Sequence, residues 1–153
     1  MQTHDHQDCV TRVIDTVENV CTERGLKLTP VRRRVLEVLL ENHAAMGAYE
    51  ILRRLDEEGM GAQPPVAYRA LDFLEKNGFA HKIERLNAFV ACMHPGVGHA
   101  PAFMICRNCK AVAEGHAEPP ENLTPWAEAS GFRIERTVVE AIGLCPSCQN
   151  DAA

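Results

Sequence analysis

Two pairs of cysteines, Cys106-x-x-Cys109 and Cys145-x-x-Cys148, stand 35 residues apart in this chain. Two residues between thiols let both sulfurs reach one ion, and four soft sulfurs suit tetrahedral Zn2+. A closed set of four leaves no position for water, so the spacing predicts a zinc that holds a fold. A redox dithiol needs an exposed, acidified thiol at a helix start. Cys106 is instead expected to end a strand, and one redox pair would leave the other unexplained.

His116-Ala117-Glu118 lies between the pairs, and H-x-E followed by P-C-x-x-C is the signature of zinc-dependent deaminases. That reading would use His116 and Glu118 with Cys145 and Cys148. Three features oppose it. The H-x-E runs into Pro119-Pro120 instead of opening a helix, Leu144 stands where the signature has proline, and five residues remain after Cys148. It would also strand Cys106 and Cys109. His116 is therefore expected to be a surface histidine or an accessory ligand, and no catalytic residue is assigned.

A second constellation combines His81, Cys92, His99 and Glu114. Nitrogen, sulfur, nitrogen and oxygen donors would make a four-coordinate site, although each residue alone has a dull explanation. Cys92 could be a small buried apolar residue, His99 a loop residue and Glu114 a surface charge.

The elements that must position these groups follow from periodicity. Val10, Val13, Ile14, Val17, Val20 and Cys21 recur at helical spacing up to Gly25. "LTPVRRRVLEVLLEN" has Thr29 as N-cap and Pro30 in the first turn, and "AYEILRRLDEEG" is a third helix. "PPVAYRALDFLEKNG" is a fourth, stopped by Asn77-Gly78. "FAHKIE" and "AFVAC", joined by "RLN", then alternate as a β-hairpin. Beyond "CMHPGVGHAP", rich in Gly and Pro as a hinge should be, "PAFMIC" and "KAVAE" read as strands. "LTPWAEASG" reads as a short Pro-started helix and "FRIERTVVEAIGLC" as a longer strand. The expectation is α+β: an N-terminal winged helix-turn-helix over 1–91, a hinge over 92–100, and a small α/β unit over 101–153.

In the fourth helix, Ala67, Ala70, Leu71 and Leu74 share one face, while Tyr68, Arg69, Asp72 and Lys76 lie off it. The N-terminal part of a second helix enters the major groove in such folds. Arg69 could read guanine bidentately, and Tyr68 could contact a phosphate or a thymine methyl. Lys27, Arg32, Arg33 and Arg34 cluster at the start of the second helix, with Arg24 upstream. A solvated helix face or a protein-docking domain would explain those charges equally well.

The 153-residue chain has a net charge of −5, with 46% hydrophobic and 24% charged residues, an ordinary globular composition. The negative sum does not exclude DNA binding, because DNA meets one face only. Seven cysteines suit a disulfide framework poorly. No signal-like or membrane-length apolar run is seen, so a cytoplasmic protein is expected.

Together these stretches resemble the ferric uptake regulator family, most closely its zinc-sensing branch, over about residues 10–150. The resemblance is carried by "LTPVRRRVLEVL", "PPVAYRALDFLEKNGFAHKIE", "CMHPGVGHAPAFMICRNCKAVAE" and "GLCPSC". It implies a homodimer that binds operator DNA and represses zinc-uptake genes. It implies two Zn2+ per chain: a structural one on Cys106, Cys109, Cys145 and Cys148, and a regulatory one on His81, Cys92, His99 and Glu114. Tyr68 and Arg69 would contact the operator. An iron- or peroxide-responsive sibling is the alternative, but the His-rich run of the iron sensors is replaced by "CMHPGVGHAP", and gain of Cys92 favours zinc. His94 could take the place of His99. The branch's "PPTVYRAL" is "PPVAYRAL" here, so the first polar contact of that helix is missing. Cys9, Cys21, His4, His6 and His43 are given no role.

Overall fold

A computed structural model describes residues 6–41, 44–60, 63–96 and 101–151. They fall into two compact units, Met1–Val97 and Gly98–Ala153. His4 and His43 lie outside the described residues, as does His99.

The first unit contains α1 (His6–Arg24), α2 (Pro30–Glu41), α3 (Ala48–Glu57), α4 (Pro64–Lys76), β1 (Ala80–Ile83) and β2 (Ala88–Ala91). The Thr29 hydroxyl accepts the Arg32 backbone N–H at 3.3 Å, which caps α2. Gly78 follows α4 at φ 76°, a left-handed conformation that lets the chain turn into β1. The apolar stripes meet in one core, where Val17, Leu36, Ile51, Leu55, Leu74 and Phe79 are fully buried. Truncating one such leucine to alanine costs about 2–5 kcal/mol. β1 and β2 pair antiparallel, with His81 opposite Val90. The turn between them is a 3-10 segment, Glu84–Leu86, closed by Asn87 at φ 46°. Met46 exchanges two backbone hydrogen bonds with Phe89, of 2.9 and 2.7 Å, which ties the hairpin to the segment before α3. This is a winged helix-turn-helix.

The second unit contains β3 (Pro101–Cys106), β4 (Val112–His116), α5 (Leu123–Ala129), β5 (Val139–Gly143) and α6 (Pro146–Asp151). The sheet order is β4-β3-β5, with β4 antiparallel and β5 parallel to the central strand. Parallel pairing requires a crossover, which α5 supplies. Three details differ from the sequence expectation. Only Val139–Gly143 of the long final stretch is strand, because β3 offers partners just from Ala102 to Cys106; residues 132–138 have no strand of this chain beside them. Pro125 is the third residue of α5, not its first. Short α6 was not foreseen, although Pro146 after Cys145 is a first-turn signal. Among the described residues no helix is long and apolar enough to cross a membrane.

Candidate metal centres and nucleic-acid interface

The sheet and its following helix bring the two cysteine pairs together. Cys106 ends β3, Cys109 sits in the turn to β4, Cys145 follows β5 and Cys148 lies in α6. Their sulfurs lie within 4.8 Å of one another, and Cys109 Sγ is 3.7 Å from Cys145 Sγ. A Zn–S bond of about 2.3 Å in a tetrahedron places sulfurs about 3.8 Å apart, so the donor set fits zinc. Two N–H groups point at the sulfurs: Cys145 N donates to Cys106 Sγ and Asn108 Nδ2 to Cys148 Sγ, each at 3.4 Å. The Cys145 N–H, then that of Cys109, draws the Cys106 thiol down to about 6. Cys148 is pulled down by Asn108, but crowding by the Cys145, Cys106 and Cys109 thiols and burial outweigh it and push it up to about 11. One sulfur ready to ionise beside one that resists is what four crowded thiols without a cation would give.

In the first unit, His81 on β1 and Cys92 just after β2 have ligand atoms within 4.8 Å of each other. His81 is 7% exposed and Cys92 fully buried. The Cys92 N–H donates to the Phe79 carbonyl at 2.9 Å, so the backbone at the base of the wing fixes this thiol. In the second unit, Glu114 is half-buried at the centre of β4, where the sequence had suggested a position after a strand. His94 is exposed in the turn after β2. A histidine and a cysteine converging at a wing base can supply two of the four ligands of an exchangeable metal.

His116 ends β4 exposed, and residues 117–120 form no helix. Cys145 and Cys148 are meanwhile grouped with Cys106 and Cys109. The histidine and glutamate of a deaminase site thus lack the helix that would carry them.

On α4, Ala67, Ala70, Leu71 and Leu74 are buried, and Tyr68 is 60% exposed beside exposed Arg69. The arginines divide into two sets. Arg34 chelates Glu58 with two 2.6 Å bonds and also reaches Glu37 and Glu41 at 3.0 Å. Arg33 pairs with Glu18 and Glu37, and Arg54 with Glu41 and Glu58. These partners hold Arg34 well above its ordinary value, the Glu58 bond contributing most. The second set binds only backbone carbonyls: Arg24 to Asn77, Arg32 to Lys27 and Arg69 to Pro65. Arg32 also lies over the Phe73 ring, 3.9 Å from its centroid. Arg32 and Arg69 line one shallow groove with Thr29, Val31, Val66 and Ala70. Their charge is uncompensated by any carboxylate among the described residues, so it is available to an anionic partner. Sequence clustering alone could not separate the two sets, because the acidic partner of Arg34 is 24 residues away.

A winged helix-turn-helix with unneutralised arginines, followed by an α/β unit with a closed four-cysteine cluster, defines a class of two-part regulatory architecture. Residues 23–141 match the ferric uptake regulator family, and the chain belongs to it. Within it the chain is 41% identical to the zinc uptake regulation protein of Escherichia coli strain K12, over 133 residues covering 86% of this chain and 78% of that protein. A zinc uptake regulator complexed with zinc and DNA is similar with a TM-score of 0.86 at 37% identity, over 94% of this chain and 98% of that one. The crystal structure of holo XcZur matches with a TM-score of 0.81 at 41% identity, over 90% and 96% of the two chains.

Proposed function

We propose that the protein is a zinc-responsive, homodimeric transcriptional repressor and not an enzyme, acting in the cytoplasm on zinc-uptake genes. The observation that carries this reading is the buried His81–Cys92 pair at the base of the wing. It supplies metal donors within the DNA-binding unit itself, apart from the four cysteines that suit a permanent zinc. The structural zinc is assigned to Cys106, Cys109, Cys145 and Cys148. The regulatory zinc is assigned to His81, Cys92, His99 and Glu114. A thiolate in the second set favours Zn2+ over Fe2+ by ligand softness. The similarity to a regulator complexed with zinc and DNA supports both partners.

Residues 92–100 act as a hinge between a DNA-binding part, 1–91, and a dimerising part, 101–153. Zinc drawn from both parts favours the arrangement in which two recognition helices enter successive major grooves, presenting Tyr68 and Arg69 to base edges. Lys27 and Arg32 bind phosphates. Zinc shifts the equilibrium only by its differential affinity for that arrangement. Moving it from 1:99 to 99:1 takes about 5.5 kcal/mol, or about 2.7 from each of two sites.

Homodimerisation is supported by the apolar groove lined by Leu123, Trp126, Ala127, Phe132, Ile134 and Val138. Trp126 and Phe132 are 68% and 67% exposed. The neighbouring residues 132–138, extended beyond β5, can pair with their own copy across a two-fold axis.

The test is zinc per chain before and after mild chelation, with DNA affinity and dimerisation followed in parallel. Two zincs are expected, one retained with the dimer and one removed reversibly together with operator affinity. A single zinc that never exchanges would leave a zinc-stabilised DNA-binding module with another trigger.

A further inference from the structure

We propose that Glu140 is a positioning residue for the regulatory zinc, accepting the ring N–H of a histidine that ligates that ion. The inference rests on the zinc-sensor reading above. In the second unit, Phe103 of β3 stands opposite Glu114 of β4 on one side and Glu140 of β5 on the other. Residues opposite one another across a ladder share a face of the sheet. Two carboxylates therefore leave the same face on either side of Phe103, which is 1% exposed. Glu114 is the carboxylate assigned to the zinc. Glu140 is not needed for the fold's own hydrogen bonding, yet its Oε1 is buried with no hydrogen-bond partner. A buried carboxylate oxygen without a donor is rare, because its desolvation goes uncompensated.

The spacing selects the donor. Strands two apart are separated by about 9.5 Å, too far for two glutamates at matching register to share one ion comfortably. Glu140 accordingly belongs to no candidate ligand cluster among the described residues. An imidazole bridges such a gap: one nitrogen lies about 2 Å from the zinc, and the other N–H reaches a carboxylate oxygen about 2.8 Å away. Metal-binding histidines commonly hand their second N–H to a carboxylate, which fixes the tautomer and the ring plane and raises ligand basicity. Glu114 would hold the ion, and Glu140 would hold a ring that holds the ion.

The test uses the full-length dimer and Zn2+ itself. In Glu140→Gln, affinity for the exchangeable zinc, measured by competition with a chromophoric chelator, should fall about 10- to 100-fold. The chelation-resistant zinc, the dimer and the unfolding midpoint of the form stripped of exchangeable zinc should stay unchanged. A purely structural glutamate would move the midpoint and not the affinity. In wild type, a slowly exchanging imidazole N–H proton resonance should appear on zinc loading and vanish in Glu140→Gln. That resonance is read on the wild-type chain, so its absence overturns the proposal even if the variant misfolds. Unchanged zinc affinity in a folded variant overturns it as well. A wild-type chain that takes up no exchangeable zinc would instead remove the sensor reading on which the proposal stands.

Discussion

Cys109 Sγ and Cys145 Sγ lie 3.7 Å apart, although 35 residues separate them in the chain. The separation is the edge of a zinc–thiolate tetrahedron, reached because β5 lies parallel to β3 and delivers Cys145 beside the end of that strand. Cys145→Ser should therefore remove the retained zinc and unfold or monomerise the second unit. Metal counting and sedimentation on the same sample check this. A stable dimer that keeps two zincs would show the four-cysteine site to be misassigned.

Stripping that zinc should expose a pH profile whose sign follows from two thiols. The Cys145 N–H draws Cys106 down to about 6, below its unfolded value near 9, so its contribution to stability is present above about 9 and is lost as pH falls through 6. Cys148 is raised to about 11, so its contribution is present below about 9 and is lost as pH rises through 11. Urea midpoints of the reduced, zinc-free chain should rise from pH 6 to 9 and fall from 9 to 11. A midpoint flat over that range would show that neither thiol is perturbed.

Cys92→Ser should abolish zinc-responsive DNA binding yet leave a folded dimer with its permanent zinc. Serine keeps the volume at a fully buried position but replaces a soft thiolate with a hydroxyl. Operator titrations with and without zinc decide it. A variant that still switches normally would remove Cys92 from the sensor.

The path from sequence to structure was uneven for identifiable reasons. Helices were readable because burial imposes a 3.6-residue period, as in Ala67, Ala70, Leu71 and Leu74. The cysteine pairs were readable because short spacing is itself the chelate geometry. The final strand was overextended, since Phe132 to Val138 alternate as a strand does while no neighbour in the chain pairs with them. Pairing is a property of two segments, and one segment cannot report it. Arg34 shows the same limit. Beside Arg32 and Arg33 it looked like part of a DNA-binding cluster, yet its guanidinium is occupied by Glu58, Glu37 and Glu41 from two elements. Glu140 gave no sequence signal, because its interest lies in the register that sets it across Phe103 from Glu114.

Trp126 and Phe132 should carry the dimer contact. Trp126→Ala or Phe132→Glu should raise the dimer dissociation constant by at least tenfold, about 1.4 kcal/mol, while both zincs remain bound. Concentration-dependent sedimentation reads this directly. An unchanged dimer would place the two-fold axis elsewhere.

Arg34 and Arg69 make opposite predictions although both are arginines of the helix-turn-helix unit. Arg69 donates only to the Pro65 carbonyl and lies exposed next to Tyr68, so its charge is free for DNA. Arg69→Ala should weaken operator binding by about 1–3 kcal/mol and relax preference at one base position, with zinc affinity of the free protein unchanged. Arg34 links α2 to Glu58 beyond α3, and the Arg34 hydrogen bond holds the Glu58 carboxyl below the usual range. Arg34→Ala should lower the stability of the first unit by about 1–2 kcal/mol, with little loss of DNA affinity per folded molecule. The Glu58 contribution has a sign of its own: its folded value is depressed, so it is present above the ordinary carboxylate range and is lost as pH falls below it. The wild-type and Arg34→Ala midpoints should therefore converge on acidification. Parallel urea titrations and operator binding separate the two arginines. If Arg34→Ala instead kept full stability and lost operator affinity, its glutamates would be resting partners that DNA displaces.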